Sequence, residues 1–184
     1  MYNEGINQDI IAHIISFGAA YAEEFEPSKL KFSDEIREYC KENLCCSYDT
    51  NWMCPPAIGN IQELKKEVIK FENGIVFQTV EIINGKYDKK GMIKGRDLHN
   101  DFLKKVVGFI KEKYKLQHIL PMGAGPCKIC TKCAYLDGKK CRHPEKAVSS
   151  AEAYGIDLGQ LLDSCDLKYN YSNNSIAYVG MILW

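Results

Sequence analysis

Four of the chain's nine cysteines fall within fifteen positions, in the stretch GPCKICTKCAYLDGKKCRHPE at residues 125–145. Thiols at that density serve a short list of purposes: a disulfide knot, a zinc knuckle, a redox pair or an iron–sulfur cage. Lys128, Lys132, Lys139, Lys140 and Arg142 alternate with the thiols. A stretch so charged is a loop and not core. The N-terminus, MYNEGINQDI, has neither a basic leader nor a long apolar run, so the cytoplasm is the expected location. Thiols stay reduced there, and an odd number of them cannot pair completely. Metal binding or catalysis is therefore expected ahead of disulfides.

Composition excludes further classes. The 184 residues suit one domain, 1–184, large enough to bury a core without staples. Lys plus Arg equals Asp plus Glu, 24 each, so no overall charge draws the chain to nucleic acid or to a membrane surface. No apolar run reaches the length of a membrane span.

The spacing of the thiols narrows the chemistry. Cys127, Cys130 and Cys133 form C-x2-C-x2-C, which wraps three thiolates around one face of a small object. The iron corners of a [4Fe–4S] cluster suit such a run, and Cys141 is placed to close the cage. Zinc competes for the same ligands, although structural zinc more often takes two separated pairs. A thioredoxin-like C-x-x-C site would leave the third and fourth thiols without a role. A second set, Cys40, Cys45, Cys46 and Cys54, has Pro55 after its last member. A cysteine before proline commonly supplies the remote ligand in ferredoxin patterns, so Cys54 either completes the first cage or belongs to another. Three ligands alone would leave one iron open to act as a Lewis acid on a substrate.

The pattern around these loops is that of an α/β domain with a mixed sheet packed against helices. Ser33 reads as the N-cap of a short helix, SDEIREYC, that delivers Cys40. Apolar residues recur from Ile61 through Leu64, Val68 and Phe71 at helical spacing. GIVFQTVEII reads as a buried strand, HIL as a short one running into PMGAGP, and SIAYVGMILW as the last. Asp97 is expected to cap a long helix whose inner face carries Leu98, Phe102, Val106, Phe109 and Ile110. Ser149 and Glu152 fit a capping box; Gly155 interrupts that helix and Asp157 caps the next. Both cysteine loops then fall at element ends and are expected to meet near one edge.

SDEIREYCKENLCCSYDTNWMCPPAIGNIQEL, IVFQTVEI and MGAGPCKICTKCAYLDGKKCRHPEKAVSSAEAYGIDL, with the last strand, resemble the DUF2284 family of predicted metal-binding proteins over most of the chain. The resemblance implies ligands at Cys40, Cys45, Cys54, Cys127, Cys130, Cys133 and Cys141, and iron–sulfur or metal proteins of anaerobes. It implies no defined activity. The family tends to carry glycine at the positions of Cys46 and Asp49; aspartate tolerates a left-handed backbone better than most residues. Cys46 is then either a bystander or an extra ligand.

Other residues are read more plainly. Tyr48 and Trp52 are expected to pack over the metal and shield it. His143 is expected to hydrogen-bond near a ligand, and His99 to sit on the surface or at a cap. Cys165 belongs to an apolar helical stripe and reads as core. The chain as a whole reads as a [4Fe–4S] protein, with one cluster or two, serving electron transfer or cluster-based chemistry. Its expected partner is a redox protein or a small-molecule substrate. The alternative is a zinc-stabilised binding module.

Overall fold

The structure, a computed structural model, describes residues 2–169 and 171–184, with residues 2–4 described by backbone alone. It is an α/β fold built on a five-stranded mixed sheet of order β1-β2-β5-β3-β4. The strands are β1 (Tyr21–Phe25), β2 (Gly74–Ile82), β3 (Leu120–Gly123), β4 (Ser149–Ser150) and β5 (Ser175–Leu183). The helices are α1 (Tyr2–Ser16), α2 (Asp34–Lys41), α3 (Ile61–Val68), α4 (Lys89–Tyr114) and α5 (Leu158–Ser164). Only the β3–β4 pair is parallel.

The pairing of β2 with β5 is the spine, running in register from Gly74 opposite Leu183 to Ile82 opposite Ser175. Alternate side chains of these strands feed two cores, as the two-residue period of a strand requires. Ile75 and Phe77 of β2 and Ile182 of β5 pack with Ile10 and Ile14 of α1 and Leu103, Val106 and Ile110 of α4. Val76, Val179, Met181 and Leu183 pack on the other face with Leu64 and Val68 of α3 and Leu158, Leu161 and Leu162 of α5. Both faces are covered at the start of β2, which is why Ile75, Val76 and Phe77 run without a polar residue; the buried Gln78 and Thr79 that follow are hydrogen-bonded, to the Lys168 carbonyl and to His99.

Local caps follow the sequence closely. The Ser33 hydroxyl accepts from the Glu35 amide at 3.2 Å, and the Asp157 carboxylate from the Gln160 amide at 3.0 Å. The helix beginning at Ile61 is present, capped by Asn60. Gly155 ends a short 3-10 turn, Glu152–Tyr154, with φ of 77°.

Four expectations are corrected. The cap of α4 is Asp88, not Asp97: its carboxylate accepts from the amides of Gly91 and Asn84, and Asp97 lies within the helix. Gly91 and Gly95 disguise this first stretch as a loop. Gly95 is there for contact, since a Cβ would stand 2.8 Å from the Tyr178 ring. The inner face is also turned. It carries His99, Leu103, Val106 and Ile110, while Leu98 is exposed. His99 is wholly buried, with its Nδ1 2.8 Å from the Thr79 hydroxyl, so it is neither surface nor cap. Ser149 opens no capping box. It lies in β4, and its hydroxyl donates to the Met53 carbonyl at 2.7 Å.

Candidate metal centre

The first cysteine loop starts from a helix that is pinned in place. Arg37, one turn before Cys40 on α2, donates to the carbonyls of Ala153 at 2.9 Å and Gly59 at 3.0 Å. This fixes the end of α2 against the 3-10 turn after β4 and holds Cys40 half-buried. The chain then folds tightly. Asn43, Cys46 and Asp49 all take left-handed φ, between 54° and 55°, and the Asn43 side chain accepts from the Tyr48 amide at 2.9 Å. Cys54 lies at a corner followed by a cis Pro55–Pro56 bond and is the most buried of the loop's thiols, 9% exposed.

The second loop runs from the end of β3 to β4, along the β4 edge of the sheet. Between residues 127 and 146 only Ala134 is buried, so little packing constrains it. Three contacts tie it to the first loop. The Trp52 indole donates to the Lys139 carbonyl at 2.9 Å, the Tyr135 hydroxyl donates to the Asp49 carboxylate, and the Trp52 and Tyr135 rings meet edge to face at 5.1 Å.

The two loops enclose a common space. Cys127, Cys130, Cys133 and Cys141 all line one cavity of about 20 Å³, closed on the other side by Asn51, Trp52 and Met53. His143 also lines it. Cys54 stands in the electrostatic field of Cys45, Cys40 and Cys127. Burial pushes the Cys54 thiol up, a hydrogen bond from Asn51 opposes it, and the neighbouring thiols raise it further. Burial also raises Cys40, against the pull of the Arg37 guanidinium. Thiols held this close resist joint ionisation, and a cation among them removes that penalty.

Thus the structure brings Cys127, Cys130, Cys133 and Cys141 around one cavity, while Cys40 and Cys45 act on Cys54 through their charge. Cys46 is exposed on a left-handed turn and has no shared contact with them. Cys165 is half-buried against the core on α5's side, away from both loops. Arg37 and Asn51 were not singled out from sequence. Arg37 was signalled only by its place three residues before Cys40 on a helix, and Asn51 by its place three residues before Cys54.

The donor set is one that a metal ion or an iron–sulfur cluster takes. Four thiols surround the space, and the amides of Gly125 and of residues 127–133 meet no acceptor among the described residues. Such amides are suited to donate to cluster sulfurs. Among the described residues no three His, Cys, Asp or Glu side chains converge on a single ion position. A tetrahedral zinc site needs sulfurs about 3.7 Å apart, given zinc–sulfur bonds of about 2.3 Å. The cavity itself has room for about one water molecule. A four-iron cube is larger, so binding one requires the second loop to spread, which its sparse packing allows.

No described helix is long and apolar enough to cross a membrane. Compared with known proteins, the chain from residue 23 to residue 184 matches a family model described as "Predicted metal-binding protein (DUF2284)". No curated protein and no solved structure matches the chain.

Proposed function

This chain belongs to the DUF2284 family of predicted metal-binding proteins, and from that premise we propose that it is a cytoplasmic [4Fe–4S] protein of electron transfer. Cys127, Cys130, Cys133 and Cys141 hold one cluster; Cys40, Cys45 and Cys54 hold a second metal centre. The observation that carries this reading is the placement of the C-x2-C-x2-C run and Cys141 around one cavity, beside amides with no acceptor of their own.

A bound cluster supplies one-electron chemistry at a potential set by the charges and donors about it. The chain's own residues supply those. Trp52 and Met53 wall the cavity from one side and limit water. Lys128, Lys139, Lys140 and Arg142 place positive charge along the loop that carries these thiols, which offsets the negative charge of a thiolate-bound centre. Arg37 does the same for Cys40.

Anaerobic purification with iron, sulfide and zinc analysis tests the reading. Brown protein holding about four or more irons per chain supports it. Colourless protein with stoichiometric zinc replaces it with a zinc-stabilised binding module. Serine replacement of each cysteine in turn then assigns ligands. Loss of only part of the iron on Cys130→Ser, and of only part on Cys54→Ser, marks two separate centres.

A further inference from the structure

Beside the thiol cavity lies a groove of about 250 Å³ between α4 and the turn after β3. The two share Cys127 and Ile129 in their walls, so the groove's inner end abuts the thiols. We propose that this groove binds a small organic molecule bearing a carboxylate or phosphoryl anion. Its nearness to a metal centre rests on the reading above; the binding itself does not.

Charge decides the sign of the ligand. Two acids line the groove, and both are already matched: Asp97 by Arg96 at 2.7 Å and Asp101 by Lys104 at 2.8 Å. Two further cations line it, Lys128 and Lys146, and neither meets a carboxylate among the described residues. The groove therefore carries two uncompensated positive charges.

Shape decides the size and body. The volume lies just under the range of about 300–1,000 Å³ that holds drug-sized ligands, so the occupant is small. Leu103, Val148 and Pro126 line the same space and suit a short hydrocarbon part. One end of the wall is held in place. The Asn100 side chain donates to the Ala124 carbonyl at 2.9 Å and accepts from its amide at 3.0 Å. Gly123 is pressed so closely to Asn100 that a Cβ would stand 2.4 Å from the amide oxygen. That fixed end saves part of the ordering cost that weakens binding to a loose wall.

The test is calorimetric titration of the full-length, anaerobically purified protein with butyrate and, separately, inorganic phosphate, with iron assayed in the same samples. Saturable binding of either anion is expected, and the stronger binder names the head group. Lys128→Ala/Lys146→Ala, and Lys146→Ala alone, should each weaken it, the pair by at least about tenfold. Lys90→Ala/Lys94→Ala removes the same charge from α4 outside the groove and should leave affinity nearly unchanged. Equal losses in both double variants would mean diffuse attraction only and would overturn the proposal, as would no saturation by either anion. Binding in samples that lack iron would sink the cluster reading and leave the groove; iron without binding would do the reverse.

Discussion

Cys46 and Asp49 sit at φ of 54° and 55°, a conformation that costs a side-chain-bearing residue about 1–2 kcal/mol. The resemblance to the family places glycine at both positions, and the backbone here keeps the shape that glycine would serve. Asp49 recovers part of the cost through the Tyr135 hydroxyl, which ties it to the second loop. Cys46 has no such contact and its thiol is exposed. Cys46→Gly should therefore raise stability by about 1 kcal/mol in denaturant unfolding and leave the metal content unchanged. A fall in bound metal would make Cys46 a ligand after all.

α4 carries the one buried imidazole of the helix–sheet interface. His99 is enclosed between Phe77 and Tyr178, its Nδ1 satisfied by Thr79 and its Nε2 without a partner. Burial lowers its pKa from 6.5 to about 4. Above pH 6.5 the imidazole is neutral both folded and unfolded. Below that, the unfolded chain takes a proton that the folded one refuses, so stability falls with pH until about pH 4 and then levels off. The loss at pH 5 relative to pH 7 should be about 2 kcal/mol. Urea titrations of the native chain and of His99→Gln, which keeps a partner for Thr79 without titrating, should differ by that amount. Equal pH dependence in the two would mean that His99 is not neutral inside the fold.

Across the whole molecule, the sheet and the metal loops draw on different sources of stability. The two cores around β2 and β5 are held chiefly by buried apolar contacts. The second cysteine loop buries almost nothing. Stripping metal with a chelator should thus lower the melting temperature while leaving the sheet intact. Hydrogen exchange should show loss of protection in residues 42–59 and 125–147, with β2 and β5 unchanged. Collapse of protection throughout would mean that the core depends on the metal as well.

What residues determined alone was local. Ser33 and Asp157 cap the helices that follow because a side-chain oxygen needs only an amide two or three positions on. The C-x2-C-x2-C spacing announced a wrap around one object for the same reason, and β2 was legible because its doubly covered start, Ile75 to Phe77, is apolar and rich in β-strand formers. Tertiary structure decided the rest. β1 is a polar edge strand whose only argument for being a strand is its partner β2, about fifty residues away. The inner face of α4 was misjudged because a histidine counts as polar until Thr79 and the sheet enclose it. Ser149 found Met53, 96 residues distant, instead of Glu152. The two cysteine loops likewise meet through Trp52, Tyr135 and Ser149, contacts that no short window contains. Local pattern is set by groups within a turn of one another; which loops share an edge is settled only when the sheet orders its strands.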